Sequence, residues 1–258
     1  VHAQSVAPHE IIVVDDGSTD NTRELLARHY PHVRYIFQQN RGVSHARTTG
    51  ITAASGDWIA LLDSDDRWEP RKLEQQQAAI RATPGCRLCH SDEIWIRNGK
   101  RVNPMKKHAK HGGWIFRHCL PLCVISPSAV MIHRDIFTEI GLFDENLPAC
   151  EDYDLWLRIC AACPVLYIEQ PLIVKVGGHA DQLSRRYWGM DRFRIQALEK
   201  ILAADVLGME DHAAALETLQ QKSAVIIQGA IKRGNQALAD TYRDKQHRYL
   251  PSSRPCAR

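Results

Sequence analysis

Two short apolar segments, each ending abruptly in a cluster of carboxylates, constrain the fold of this chain more than any other feature. Residues 10–14 (Glu-Ile-Ile-Val-Val) run into Asp-Asp-Gly-Ser at 15–18, and residues 58–62 (Trp-Ile-Ala-Leu-Leu) run into Asp-Ser-Asp-Asp at 63–66. An apolar run of this length predicts a buried strand of a parallel sheet. Because such sheets bind ligands at the carboxyl ends of their strands, we expect both acidic clusters at one functional edge.

Helical patterns alternate with these strands. A further early strand is predicted over 33–37, and helices are predicted from Thr19 or Asp20, over 44–54 and over 70–82. Later strands are predicted over 87–96, 128–132 and 165–176, and later helices over 135–140 and 151–161. The alternation predicts an α/β three-layer sandwich with a mostly parallel sheet.

Three segments are expected along the chain: an α/β domain over 1–187, a helical region over 188–250 and a tail over 251–258. Residues 185–258 contain 13 Lys and Arg against 8 Asp and Glu. This basic helical appendix is a candidate for peripheral contact with an anionic membrane surface or with a partner.

Composition and charge exclude several classes of protein. The chain has 258 residues, of which 44% are hydrophobic, so it can bury a full core. Its net charge of +3 is too close to zero for a dedicated nucleic-acid binder. The longest uncharged stretch, 119–132, is too short and too rich in proline to span a bilayer. With no signal peptide and only eight cysteines, we expect a cytoplasmic location, with the appendix as a candidate contact at the inner face of the membrane.

Either acidic cluster alone fits an ordinary turn and helix cap, because Asp, Gly and Ser are common there. Two clusters at the ends of two apolar strands favour a binding site, since carboxylates at this density repel one another unless a cation or a set of hydrogen-bond donors holds them. Hard oxygen ligands of this kind suit Mg²⁺ or Mn²⁺, and such a site most often handles a diphosphate. The sequence has no Gly-x-x-x-x-Gly-Lys loop, which disfavours a P-loop enzyme.

Five ordered motifs give the chain a resemblance to the family 2 glycosyltransferases, which have the GT-A fold. The motifs are EIIVVDDGSTD at 10–20, NRGVSHAR at 40–47, GDWIALLDSDD at 56–66, GLFDE at 141–145 and EDYDLWLR at 151–158. The resemblance covers residues 10 to about 180 and implies a Rossmann-like nucleotide-diphospho-sugar transferase fold. It implies transfer of a sugar from a nucleoside-diphosphate sugar to a glycan or glycolipid hydroxyl, with inversion, in bacterial cell-surface polysaccharide or glycolipid synthesis.

The resemblance also implies roles for individual acids of the two clusters. Asp15 and Asp16 would accept hydrogen bonds from the base or ribose of the donor, and Arg47 would line the same nucleoside pocket. Asp63 and Asp65 would be the two acids of the family's Asp-x-Asp element. Of these, Asp63 would lie near the ribose and Asp65 on the Mg²⁺ or Mn²⁺ ion.

Asp152 resembles the family's general base. It would take the proton from the acceptor hydroxyl as that oxygen attacks the anomeric carbon, which gives inversion in a single displacement. Locally, Glu151 and Asp152 fit equally well the first turn of a helix, where the helix dipole stabilises carboxylates. Asp154 is the weaker candidate, because it would point elsewhere on the same helix.

Three further groups each have two interpretations. His179 follows the last strand and is a candidate metal or diphosphate ligand or a simple loop residue, with Arg185 and Arg186 as candidate phosphate contacts. The cysteine pairs at 86/89 and 160/163 have zinc-like spacing but lie in predicted strand and helix, which favours buried thiols. The Lys- and His-rich segment 106–111 is either a solvated loop or a contact for an anionic acceptor.

The chain departs from the family pattern at its start, where the first strand and a Pro-x-Tyr-Asn-like turn are not found. We therefore expect weakened donor binding and stability for the chain as it stands. Two alternatives to a transferase stay open: a non-catalytic nucleotide-binding or scaffold protein, and a metal-dependent phosphohydrolase using residues 63–66. Arg67 disfavours the second, because aspartyl phosphatases have Thr or Val at that place.

Overall fold

A computed structural model describes residues 1–178 and 183–249 and divides the chain into two compact units. The first unit runs from Val1 to Arg186 and contains strands and helices, whereas the second begins at Tyr187 and is helical. The expected tail at 251–258 lies outside the described residues. No helix among the described residues is both long enough and apolar enough to cross a membrane.

Strands and helices alternate through the first unit. The strands are β1 (Ile12–Asp16), β2 (Arg34–Gln38), β3 (Trp58–Ala60), β4 (Arg67–Trp68), β5 (Leu88–Arg97), β6 (Lys100–Val102), β7 (Met131–His133) and β8 (Leu166–Gly177). The helices are α1 (Thr22–His29), α2 (Val43–Ala53), α3 (Lys72–Ala82), α4 (Phe116–Cys119), α5 (Arg134–Glu139), α6 (Glu151–Ala162) and α7 (Leu183–Arg186). Every strand and helix predicted from the sequence has a counterpart, with bounds shifted by a few residues.

The strands form two sheets. β1 and β2 pair in parallel, and the remaining strands form a sheet in the order β3-β7-β5-β8-β4, with β6 paired to the end of β5. The predicted α/β architecture is present, but the larger sheet is mixed: within the described residues only its β5–β8 pair is parallel. Apolar runs identify buried strands and leave their direction open. Here the chain returns after β6 and enters β7 in the direction opposite to β5.

Helix α6 is anchored in the core and begins with the third acidic motif, Glu151-Asp152. Tyr153, Trp156 and Leu157 on this helix are fully or almost fully buried. On the same helix, the Arg158 guanidinium donates to the carbonyl oxygens of Ile140 and Leu142, both at 2.8 Å. The segment 140–142 is therefore tied to α6 by hydrogen bonds.

The second unit is a set of three helices, α8 (Asp191–Ala203), α9 (Met209–Lys232) and α10 (Gln236–Arg248). They pack around a small apolar core formed by Ile195, Ile226, Ile227, Ala230, Ala239 and Tyr242. Helical structure was expected over this part of the chain.

The described cysteines are free thiols. Cys89, Cys160 and Cys163 are buried, and Cys86 is partly buried. Cys89 lies within β5 and Cys160 within α6, so neither pair forms the tight turn of a structural zinc knuckle.

Lys72 on α3 is fully buried beneath the sheet, which is unusual for a lysine. Its ammonium donates to Gln76 Oε1 at 2.6 Å and lies 4.3 Å from the centre of the Trp68 ring. Burial lowers the pKa of Lys72 from its ordinary 10.5 to about 7.

The lowered pKa of Lys72 predicts a pH dependence of stability. Between pH 7 and 10.5 the folded chain releases this proton while the unfolded chain keeps it, so the free energy of unfolding should rise with pH. We expect Lys72→Met to remove this rise, and Lys100→Met, at an exposed position, to keep it. Urea unfolding at several pH values measures both, and equal slopes in the two variants would contradict the prediction.

Candidate active site

The acidic cluster after β1 fixes the loops at the end of that strand. Asp15 is buried, its Oδ1 accepts the Ser18 N–H at 2.7 Å, and its Oδ2 accepts the Tyr35 hydroxyl at 2.6 Å. Burial pushes the pKa of Asp15 up, but the hydrogen bonds outweigh burial and the pKa is lowered. The bond to Asp15 is the main cause that raises the pKa of Tyr35 to about 12. Both oxygens of Asp15 are thus engaged within the protein.

Asp16 ties the end of β1 to the loop between β2 and α2. Its carboxylate accepts the backbone N–H groups of Arg41 at 2.9 Å and Gly42 at 2.8 Å. The next residue, Gly17, has a φ of +85°, and a Cβ there would lie 2.9 Å from the backbone nitrogen of Asn40. Glycine is required at this position because both the positive φ and the close approach exclude a side chain.

Arg47 joins the two later acidic motifs at one point. From α2, its Nη2 donates to Asp63 Oδ1 and its Nη1 donates to Glu151 Oε1, both at 2.6 Å. The guanidinium also lies 5.2 Å from the centre of the Phe143 ring. Its side chain is only 11% exposed, so the two charge-assisted hydrogen bonds form largely away from water.

Glu151 carries a proton more readily than an ordinary glutamate. Burial raises the pKa of Glu151 to about 7, and the neighbouring Asp152 adds to the rise, against the opposing effect of Arg47. Two adjacent carboxylates at the start of one helix therefore differ in environment, since Asp152 is only partly buried.

The loop after β3 holds the Asp-x-Asp element against β8. Asp66 is buried, its Oδ1 accepts the Val176 N–H at 3.0 Å, and burial raises the pKa of Asp66 to about 6. The Asp63 N–H donates to Ser128 Oγ at 3.0 Å. These contacts leave Asp65 as the exposed acid of the loop.

The Asp-x-Asp loop is better suited to a divalent cation that arrives with the substrate than to an ion enclosed by protein ligands alone. Within residues 1–178 and 183–249, no three His, Cys, Asp or Glu side chains are grouped to hold a metal. Asp63 is paired with Arg47, whereas Asp65 faces solvent. Mg²⁺ commonly uses one or two carboxylates together with water and substrate phosphates, and the acids of this loop match that donor set.

Asp152 lies in the first turn of α6. Cys150, immediately before this helix, has a φ of 60°, a left-handed conformation that is uncommon for a side chain other than Gly, Asn or Asp. Asp152 Oδ1 accepts the Tyr153 N–H at 2.7 Å, and its Oδ2 lies 3.0 Å from Cys123 Sγ. The helix dipole also favours negative charge in this turn.

A buried charge cluster beside Asp152 was missed by the sequence reasoning. Glu93 Oε2 lies 3.2 Å from Lys110 Nζ, and both side chains are almost fully buried. Lys175 on β8 donates to Ser126 Oγ at 3.0 Å. Burial alone would lower the pKa of Lys175, but Glu93 and other negative charges, including Asp152, raise it. One sequence feature could have indicated this cluster, namely Lys175 within the otherwise apolar stretch 173–176 of β8. A buried charge needs a partner of opposite charge.

The other candidate residues are placed as follows. Asp154 is buried and pairs with Arg158 at 2.8 Å, away from Asp152 on the helix as expected. In the segment 106–111, Lys106 and Lys107 are exposed, whereas Lys110 turns inward to Glu93. His179 and the side chain of Arg185 lie outside the described residues, and Arg186 is exposed.

Two family patterns match this chain. The sequence pattern described as "Glycosyl transferase family 2" matches residues 1–141, and that described as "Glycosyltransferase like family 2" matches residues 113–208. An uncharacterized glycosyltransferase of Rickettsia felis is 29% identical over an alignment of 198 positions, which covers 71% of this chain and 32% of that protein. The chain thus spans about a third of the length of this relative.

Two solved structures share the fold at low sequence identity. S. aureus TarS in complex with UDP superposes with a TM-score of 0.58 at 14% identity, over 96% of this chain and 84% of that chain. A mannosyltransferase from Pyrobaculum calidifontis in complex with GDP-Man and Mn²⁺ gives a TM-score of 0.57 at 17% identity, over 96% and 77% of the two chains. These likenesses confirm the predicted GT-A fold.

The buried position of Arg47 predicts a large effect of its removal on stability. Arg47→Met leaves Asp63 and Glu151 without their shared cation. We expect the free energy of unfolding at pH 7 to fall by about 1–3 kcal/mol, because Asp63 is partly exposed and Glu151 can take up a proton once the cation is gone. Arg71→Met is the matched control, because its ion pair with Glu74 is exposed and should contribute little. Urea unfolding compares the two variants, and an Arg47→Met loss no larger than that of Arg71→Met would contradict the buried bridge.

Proposed function

This chain belongs to glycosyl transferase family 2, and we propose that it transfers a sugar from a nucleoside-diphosphate sugar to an acceptor hydroxyl, with inversion. The Arg47 bridge carries the proposal, because it joins the Asp-x-Asp loop to the helix that begins with Glu151 and Asp152. The names of the related folds, complexes with UDP and with GDP-Man and Mn²⁺, support a donor of this class.

Asp152 is the general base of the proposed reaction. The acceptor oxygen attacks the anomeric carbon, the bond from that carbon to the diphosphate oxygen breaks, and the acceptor proton moves to the Asp152 carboxylate. The start of α6 suits this role because the helix is anchored in the core and Asp152 is only partly buried. Glu151, held by Arg47, orients the same turn.

The donor is proposed to bind along the acidic loops. Asp63 would face the ribose, and Asp65 would hold Mg²⁺ or Mn²⁺ together with the diphosphate oxygens, with His179 as a further candidate ligand. When bound, such an ion supplies positive charge that stabilises the departing diphosphate. Asp15, Asp16 and the loops that they fasten would form the wall beside the base and ribose, which is a role their hydrogen bonds support.

A glycan or glycolipid hydroxyl of a bacterial surface polymer is the proposed acceptor. The expected cytoplasmic location and the membrane contact of the helical appendix stay predictions. A non-catalytic nucleotide-binding protein is the alternative that the next experiment separates from an enzyme.

We expect Asp152→Asn to lower turnover strongly without weakening donor binding. Removal of a general base typically lowers the rate by about 10²- to 10⁴-fold. Release of nucleoside diphosphate from UDP-glucose, UDP-N-acetylglucosamine and GDP-mannose, with and without Mn²⁺, measures turnover, and titration calorimetry measures donor binding. Asp135→Asn, an exposed acid on α5, is the control and should behave as the unmodified chain does.

Two results would count against the proposal in different ways. Donor binding without any turnover in the unmodified chain would favour the nucleotide-binding alternative. Turnover that is equal in Asp152→Asn and the unmodified chain would remove Asp152 from the role of base.

A further inference from the structure

The Cys123 side chain contacts the carboxylate of Asp152, which is the proposed general base. Its Sγ lies 3.0 Å from Asp152 Oδ2 and 3.3 Å from the carbonyl oxygen of Ile125. A thiol has one proton and can donate to one acceptor at a time. The carboxylate is both the closer and the charged acceptor, so the proton is directed at Asp152.

The segment that carries Cys123 is held in place by side chains from a loop, a strand and a helix. Lys110 Nζ donates to the Val124 carbonyl at 2.8 Å, and Lys175 Nζ donates to Ser126 Oγ at 3.0 Å. The Tyr153 hydroxyl, from α6, donates to the carbonyl of Leu120 at 2.6 Å. The thiol therefore meets Asp152 from a fixed backbone, and α6 itself supplies one of the anchors.

The charges around the pair keep the thiol in its donor form. The groups that face Cys123 are Asp152 from α6, Lys175 from β8 and Cys119 from α4. Burial and the Asp152 carboxylate raise the pKa of Cys123 well above its ordinary value, and Lys175 opposes this more weakly. Asp152 in turn interacts electrostatically with Arg47, Glu151 and Lys175. A thiol so placed stays protonated at neutral pH.

We propose that Cys123 is a positioning residue: its thiol holds the Asp152 carboxylate with Oδ2 aimed at the acceptor hydroxyl. The inference rests on the proposed role of Asp152 as base. A thiol suits this task because it is a weak donor. The thiol can orient the carboxylate while leaving Oδ2 basic enough to take the proton of the acceptor hydroxyl. A serine hydroxyl at this place would bind the carboxylate more tightly.

The test compares Cys123→Ala and Cys123→Ser in the full chain. We expect Cys123→Ala to lower kcat for nucleoside-diphosphate release from the three sugar donors by about ten-fold or more, with donor affinity unchanged, because a misaimed base loses its geometry. Cys123→Ser should recover most of kcat and move the acid limb of the pH–rate profile to lower pH. Cys86→Ala is the control, since the Cys86 thiol donates to the backbone carbonyl of Leu88, at 3.5 Å, and not to a carboxylate.

The Asp152→Asn variant, which lacks the proposed base, separates the positioning role of Cys123 from the base role of Asp152. If Cys123 acts through Asp152, Cys123→Ala should have no further effect on turnover in Asp152→Asn. Loss of turnover in Asp152→Asn together with wild-type kcat in Cys123→Ala would overturn the positioning role alone. Full turnover in Asp152→Asn would remove the base assignment, and the positioning role with it.

A chemical readout tests the contact without any turnover. Because the carboxylate disfavours the thiolate, Cys123 should react faster with methyl methanethiosulfonate in Asp152→Asn than in the unmodified chain. Peptide mass spectrometry follows labelling of Cys123, with Cys86 as the internal reference. An equal labelling rate of Cys123 in both proteins would overturn the contact.

Discussion

One buried guanidinium holds the candidate site together. Arg47 faces the partly exposed Asp63 on one side and the buried Glu151 on the other, and its positive charge offsets the repulsion between the two carboxylates. Arginine suits the place because its planar fork presents donors in two directions, whereas lysine would act as a point charge. The Asp-x-Asp loop, α2 and the start of α6 depend on this side chain for their mutual placement.

The acids around the Arg47 bridge differ in their hydrogen-bond partners, and these partners indicate different roles. Asp15 and Asp16 fasten loops, and Asp66 ties the Asp-x-Asp loop to β8. Asp65 is exposed, and Asp152 is partly buried, as are Asp16 and Asp63. Asp16 and Asp63 differ from the other two in their partners, since Asp16 accepts backbone N–H groups and Asp63 accepts from Arg47. The proposed chemistry assigns the metal to Asp65 and the acceptor proton to Asp152.

Much of this arrangement could be predicted from the sequence, because apolar runs and acidic clusters mark strand ends. β1 and the helix beginning at Glu151 lie where the pattern placed them. The pairing of β3 with β7 could not be predicted, since hydrophobicity carries no strand direction. The contact of Cys123 with Asp152 was also beyond reach, because it joins residues 29 positions apart through a loop whose path depends on Lys110 and Lys175.

The central claim is that Arg47 couples Asp63 to Glu151, and a double-mutant cycle tests it most directly. The free energy of unfolding is measured for Asp63→Asn, Glu151→Gln and the double variant, first with Arg47 present and then with Arg47→Met. With Arg47 present, the double variant should lose more stability than the two single variants together, by about 0.5–3 kcal/mol, because a buried cation is left unpaired. This excess should vanish with Arg47→Met. Additive losses in both backgrounds would contradict the account.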